Sequence, residues 1–567
     1  MTAGLLQAFD DAGVFEAADL HVAQRLTALA REDDERVALA VALVVRALRG
    51  GSVCVDLRAA EEQLGVADLP WPDPDGWLGA VRASPLLGTP PVLRLLGDFC
   101  YLDRYWLEED QVCTDLLALS VTGAAGDTGS YERLFPPGYE EQRAAAEIAV
   151  AQAVTVLTGG PGTGKTTTVA RLIALLAERA ERAGRPRPRI ALAAPTGKAA
   201  ARLAEAVTAG VGRLDAADRA RLTGLRATTL HRLLGPRPDT SARFRHNRTN
   251  RLPHDVIVVD ETSMVSLTMM ARLLEAVRSD ARLILVGDPD QLASVEAGAV
   301  LADLVDGLDA RPDVRVAALR TPHRFGTSIG ALADALRVGD ADRALELLAA
   351  GGAHVEWIDS DRPAARLRDV LVPHALRLRA AALLGASERA LTTLDEHRLL
   401  CAHRTGPYGA NQWNTQVHKW IAEETGQAAW SQWYAGRPLL VTANDYGLRV
   451  YNGDTGVTVT GPQGLRAVIA GAAGPLDFAT SRLGDVETMH AMTIHKSQGS
   501  QVDEVTVLLP SEESRLLTRE LFYTAVTRAT TKVRVAGPEP AVRAAIERRA
   551  VRATGLRQRL RAAAPTA

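Results

Sequence analysis

At 567 residues the chain is too long for one hydrophobic core, and about four domains of ~150 residues would be an ordinary division. Hydrophobic residues make up 47% and charged residues 23%, a balance that suits a soluble globular protein. The formal net charge of −3 and a pI near 6.5 exclude a uniformly basic surface, so any contact with nucleic acid must come from a local patch or groove.

The first 125 residues carry helical periodicity, interrupted by a Pro/Asp/Trp-rich turn from Pro70 to Trp77. Their longest conspicuous apolar run, Val37 to Val45, falls between Arg36 and Arg46. It is much shorter than the ~20 residues of a membrane helix. No charged-then-apolar leader opens the chain, and the expectation is a cytoplasmic protein with no membrane partner. Cys54, Cys100, Cys113 and Cys401 lack zinc or redox spacing and read as buried free thiols. The Gly-rich stretch Val121 to Ser130 reads as a linker.

Beyond it, short β-rich apolar runs alternate with helical stretches: Val154–Thr158, Ile190–Ala194, Val256–Val259 and Leu283–Val286. That alternation predicts an α/β fold with a parallel sheet covered on both faces. One such unit is expected over residues 131–325 and a second over 326–567. Within the second, about 430–487 differs: short strands separated by Asn/Gly/Asp turns predict a small inserted β-barrel.

The first strand runs into Gly159-Gly160-Pro161-Gly162-Thr163-Gly164-Lys165-Thr166-Thr167, followed by a helical stretch. This is a phosphate-binding loop in its strand–loop–helix setting. Its glycines let backbone N–H groups curl around a triphosphate at the positive end of a helix. Lys165 is expected to reach the β- and γ-phosphates and the Thr166 hydroxyl to ligate Mg²⁺. A later apolar strand ends in Asp260-Glu261, at the sheet edge where open α/β folds bind ligands. Asp260 is the expected second Mg²⁺ holder and Glu261 the base that orients and deprotonates water. Gln291, after a third strand, is a candidate γ-phosphate contact, and Arg324 and Arg528 are candidates for stabilising the leaving phosphoryl group.

The ordered series of motifs resembles the superfamily 1 helicases. It runs Gln142, Gly159–Thr166, Ala194-Pro195-Thr196-Gly197-Lys198-Ala199-Ala200, Thr229-Leu230-His231, Asp260-Glu261, Gly287–Gln291, Arg324, Thr493-Ile494-His495-Lys496-Ser497-Gln498-Gly499 and Arg528. Within that superfamily it is most similar to the RecD family, the alpha subunits of RecBCD (exodeoxyribonuclease V) complexes, over Gln142 to about Gly537.

The resemblance implies two RecA-like P-loop NTPase domains with ATP between them, preceded by a helical N-terminal domain. It also implies that Gln142 contacts adenine. Single-stranded DNA is expected to cross Pro195, Thr196, Lys198 and His231 on the first domain and Thr493, His495 and Lys496 on the second. The implied activity is that of an ATP-dependent 5′→3′ DNA helicase acting on DNA ends in double-strand-break repair and recombination. RecB and RecC are the implied partners, with residues 1–125 docking on RecC. The alternatives are a free-standing RecD-like helicase and a DNA-binding ATP switch that does not translocate.

Two segments have weaker assignments from sequence. A basic run at about 235–255, Arg237, Arg243, Arg245, His246, Arg248 and Arg251, reads from charge alone as a solvated loop. The resemblance makes it a hairpin beside the duplex junction. Trp413, Trp420, Trp430 and Trp433 are expected to anchor the inserted barrel, with base stacking as the other reading.

Overall fold

The computed structural model describes residues 4–563 apart from 67, 120–128, 238–239, 312–313, 315, 322–326, 427–430, 446 and 472–473. The expected linker therefore falls almost wholly outside the described residues, as do Arg324 and Trp430.

Two parallel sheets form the frame. The first has the order Ala317–Leu319, Val154–Gly159, Arg282–Gly287, Val256–Val259, Ile190–Ala194, Ala227–Thr229, and every neighbouring pair is parallel. Its central strands are apolar on both faces because helices cover both; Val256–Val259 is buried throughout. The second sheet, also parallel, has the order Val355–Ile358, Ala529–Ala536, Val502–Leu508, His397–Cys401, Ala491–Thr493.

Between strands His397–Cys401 and Ala491–Thr493 the chain inserts a five-stranded antiparallel sheet, from Pro438–Val441 to Val486–Thr488. Its own core includes Leu439, Val441, Ala467 and Ile469. Of the tryptophans, Trp433 packs against that core. Trp413 and Trp420 do not anchor the insertion. They lie 6.1 Å apart in the core beneath the helix Ala410–Thr425, with Ile358 and Leu399.

The N-terminal region departs from the purely helical expectation. Its helices Ala17–Ala30 and Glu35–Arg49 surround Phe9 and Trp77, but an antiparallel sheet of Cys54–Asp56, Phe99–Leu102 and Leu93–Leu96 completes it. These strands have three or four residues each, too few for an alternation pattern to show.

This region is joined to the first parallel-sheet unit by a shared core. The helix Asp103–Ala118 lays Val112, Cys113 and Leu116 beside Ile257 and Leu274 of that unit. At the edge of the contact Gln111 donates to the Ala271 carbonyl at 3.1 Å and Thr268 donates to Glu108 at 2.6 Å.

The chain's last described helix, Leu556–Ala562, does not stay with the second unit. Leu556 and Leu560 enter the first unit's core, and Arg311 donates to the Leu560 carbonyl at 3.1 Å. On the way Val53 donates its backbone N–H to Ala553 at 2.9 Å. Glu109, fully buried, accepts from the Thr554 hydroxyl at 2.7 Å and the Gly555 N–H at 3.0 Å. All four cysteines are free and buried. Among the described residues no helix is long and apolar enough to cross a membrane.

Candidate functional site

The strand Val154–Gly159 delivers the phosphate loop to the carboxyl edge of the first sheet, and the helix Lys165–Arg182 carries it away. Gly162 and Gly164 sit at φ of 82° and 86°, a conformation glycine adopts without a Cβ clash, and this lets the loop close on itself. Thr163 donates its hydroxyl to the Gly160 carbonyl at 2.9 Å. The Lys165 ammonium donates to the carbonyls of Gly159 and Gly160, so it lies folded along the loop that would hold the phosphates.

A cavity of about 660 Å³ opens in front of this loop. Pro161, Gly162, Gly164, Lys165, Thr166 and Thr167 form its floor. Gln142 closes one end; it is buried and donates to the Thr163 carbonyl at 3.3 Å. Tyr139, three residues earlier, also lines the cavity, with the Arg171 guanidinium 4.2 Å over its ring.

Asp260 and Glu261 reach the cavity from the end of Val256–Val259. The Asp260 carboxylate accepts the Glu261 N–H at 2.9 Å, and Glu261 occupies φ 51°, ψ 42°. A non-glycine residue held there is strained, and such strain concentrates at functional positions. Burial, reinforced by the neighbouring Glu261 charge, pushes the Asp260 carboxyl above its usual range, while Lys165 opposes the shift.

Gln291 lines the same cavity and donates to Asp288 at 3.0 Å. Asp288 is 2% exposed and is likewise raised by burial. The donor set suits Mg²⁺: Thr166 and Asp260 offer hard oxygens, and the carboxylates of Glu261 and Asp288 line the same cavity.

Arg528 comes from the second unit. It follows the helix Arg519–Val526, is 3% exposed, and is held by the Thr524 carbonyl at 3.1 Å and the Ser500 carbonyl at 3.3 Å. It too lines the cavity. Sequence reading missed four participants here: Tyr139, Arg202, Asp288 and Tyr523. Tyr523 donates its phenol to Asp288 at 3.0 Å and lies within 3.1 Å of where a Cβ on Gly160 would sit. Two had a visible signal: Asp288 lies inside the motif Gly287–Gln291, and Tyr523 lies five residues before Arg528.

The residues expected to grip DNA occupy three short-range motifs of one design. Thr196 follows Pro195 and caps the helix Gly197–Gly212, accepting the Ala199 N–H at 3.2 Å. Thr229 caps Leu230–Leu234, which bears His231, and Thr493 caps Ile494–Ser497, which bears His495 and Lys496. Each threonine hydroxyl accepts a first-turn N–H, which fixes the helix start.

His231 is exposed and its ring lies 5.7 Å from that of Phe244 in the adjoining hairpin. Lys198 is half-buried between the two units, and its ammonium is brought down to about 8, first by loss of hydration and then by Arg398. Lys496 is paired with Glu487 at 2.7 Å.

The hairpin Pro236–Arg237 with Thr240–Phe244 occupies the basic interval. Its arginines divide. Arg248 is paired with Asp115 of the N-terminal region at 2.7 Å and Arg251 donates to the Val277 carbonyl at 2.6 Å, whereas Arg243 and Arg245 are exposed. The solvated-loop reading therefore fails for the partly buried Arg251, while Arg248 stays exposed despite its ion pair.

Residues 142–297 match the AAA domain family, residues 488–536 the UvrD-like helicase C-terminal domain, and residues 11–93 the N-terminal domain of RecBCD enzyme subunit RecD. The RecBCD enzyme subunit RecD of Mycolicibacterium smegmatis is 72% identical over 559 residues, covering 99% of this chain and 99% of that protein. That of Mycobacterium tuberculosis is 72% identical over 558 residues, covering 98% and 97%. The ATP-dependent RecD2 DNA helicase of Deinococcus radiodurans is 32% identical over 474 residues, covering 82% of this chain and 58% of that protein. With a cavity assembled from two parallel-sheet units and relatives matched over nearly its whole length, this chain belongs to the RecD family of RecBCD enzyme subunits.

Proposed function

We propose that this chain is an ATP-hydrolysing 5′→3′ DNA helicase subunit that works with RecB and RecC at DNA ends in double-strand-break repair. The observation that carries the reading is the entry of Arg528 from one unit into the cavity built by Lys165 and Glu261 of the other. A nucleotide bound there contacts both units, so its cleavage can change how they meet.

In the reaction Glu261 accepts a proton from water as the water oxygen bonds to the γ-phosphorus and the bond to the β–γ bridging oxygen breaks. Lys165 and Arg528 neutralise charge on the phosphoryl oxygens, and Gln291 leaves Asp288 to orient the γ-phosphate or the water. Thr166 and Asp260 would hold Mg²⁺, which supplies further neutralisation of the phosphate charge. Gln142 and the loop from Gly159 to Thr167 hold the base and phosphates.

The three threonine-capped helices offer N–H groups, hydroxyls and imidazoles to a phosphate backbone without reading sequence. In this reading the two parallel-sheet units, 131–325 and 326–567 less the helix Leu556–Ala562 that packs in the first, are RecA-like domains. The inserted antiparallel sheet is the small barrel, and the hairpin carrying Arg243 and Arg245 stands at the duplex junction. Residues 1–125 carry the RecC contact. A strand-displacement assay on duplexes bearing only a 5′ or only a 3′ tail tests the reading. Unwinding solely from the 3′ tail overturns the polarity, and ATPase activity without DNA dependence overturns the motor.

A further inference from the structure

The helix Gly197–Gly212 touches both working surfaces. Its first turn carries Thr196 and Lys198. One turn on, Arg202 lines the nucleotide cavity and reaches out of its own unit. The guanidinium donates to the Gly499 carbonyl at 2.9 Å and to the Gln501 side-chain carbonyl at 3.0 Å. Both acceptors belong to the loop that joins the Thr493–Lys496 segment to the strand Val502–Leu508.

That loop is clamped from its other side as well. Gln498 donates to the Leu292 carbonyl at 2.7 Å, and Ser500 accepts from Arg528 at 3.3 Å. Leu292 in turn donates its N–H to Thr524 at 2.8 Å. A Cβ on Gly499 would sit 3.3 Å from Ala199, so the loop lies directly on the helix. The positive charge of Arg202 acts on Asp260 at one end and on Lys198 at the other.

We propose that Arg202 is a positioning residue that couples nucleotide state to DNA grip, by fixing the loop behind Thr493, His495 and Lys496 against the helix that carries Thr196 and Lys198. The proposal rests on the helicase reading. A planar guanidinium can serve both acceptors at once, which a lysine ammonium at the end of a flexible stem cannot reproduce in the same geometry. When the units separate, both bonds break together, so the two halves of the DNA surface lose their common register.

The test measures the affinity of the full-length chain for a fluorescent oligothymidylate in the presence of Mg²⁺ with AMP-PNP or with ADP. Coupling between sites typically spans 5–150-fold, and the wild-type ratio of the two dissociation constants should fall in about that range. Arg202→Ala and Arg202→Lys should bring the ratio to about twofold or less, and Gln501→Leu should lower it in the same direction. The double variant Arg202→Ala/Gln501→Leu should be no worse than Arg202→Ala, because both act through one contact.

A full ratio in Arg202→Ala overturns the proposal. So does an equal loss of affinity in both nucleotide states, which would make Arg202 a plain phosphate contact, and so does strict additivity of the two substitutions. Should Arg202→Ala fail to fold, Gln501→Leu carries the same comparison, and an unchanged ratio there overturns the proposal. A wild-type chain that binds no oligothymidylate refutes the helicase reading instead.

Discussion

Tyr523 donates its phenolic hydroxyl to the Asp288 carboxylate at 3.0 Å across the junction of the two parallel-sheet units. The same carboxylate oxygen accepts from Gln291 at 3.0 Å. A residue of the second unit therefore shares an acceptor with the group expected to meet the γ-phosphate, and whatever draws Gln291 toward nucleotide leaves Tyr523 as the remaining side-chain donor to that oxygen. Tyr523→Phe removes one buried hydrogen bond, worth about 1 kcal/mol. We expect DNA-stimulated turnover to fall roughly fivefold, as 1 kcal/mol implies. Steady-state hydrolysis at saturating ATP checks this, and unchanged turnover would detach Tyr523 from the cycle.

Lys165→Ala should abolish hydrolysis and unwinding while leaving the fold intact, because it removes a charge from the loop and no apolar contact from the core. Glu261→Gln should abolish turnover yet still bind a fluorescent ATP analogue, since the loop and Lys165 survive. Normal turnover by either purified variant would sink that residue's role.

Arg528→Ala should depress kcat by ~10³-fold or more, far beyond its effect on ATP affinity, because its charge matters most as the γ-phosphoryl group departs. A loss confined to KM would reassign Arg528 to ground-state binding. Arg324, outside the described residues, is subject to the same measurement.

Acid should destabilise the second unit. His397 is 6% exposed, its Nε2 lies 2.9 Å from the Thr506 hydroxyl, and burial holds its imidazole well below the ordinary value of 6.5. His374, whose ring lies 5.5 Å away, is lowered by the same cause. The folded chain keeps these rings neutral, whereas the unfolded chain takes up protons near pH 6.5. Their contribution is fully present above that pH and declines as pH falls below it, by about 1.4 kcal/mol per pH unit for His397. Thermal unfolding between pH 7.5 and 5 should show the decline, and His397→Gln should flatten it. An identical slope in the variant would assign the effect elsewhere.

Deleting residues 1–125 should cost solubility and ATPase activity together. The cut strips Val112, Cys113 and Leu116 from the first unit's core and Asp115 from Arg248. A soluble truncation with full DNA-stimulated ATPase would contradict this. A test of RecC docking is better made with point changes such as Leu29→Glu and Val22→Glu, exposed apolar positions seven residues apart on the helix Ala17–Ala30, read out by co-purification.

What the sequence disclosed depended on how local its chemistry is. The phosphate loop is one contiguous stretch whose glycines, lysine and threonine act through neighbouring backbone, so residue order alone exposes it. Asp288 and Tyr523 stand 235 positions apart, and nothing in either segment names the other. The basic run displayed its charge but not its pairing, because Asp115 lies 133 positions from Arg248. Arg202 looked like one more helix arginine, since its acceptors are almost 300 positions further on. The threonines at 196, 229 and 493 could be recognised as helix caps, yet only the sheets bring their helices to one edge.

The return of Leu556 and Leu560 to the first unit changes how the chain can be made. Synthesis supplies the second unit and its inserted sheet before the residues that complete the first unit's core emerge. During translation the earlier unit must wait, partly open, for its final helix. A stop codon at about residue 550 would therefore injure the unit made first, taking from Glu109 the Thr554 and Gly555 donors and leaving it the Tyr101 hydroxyl.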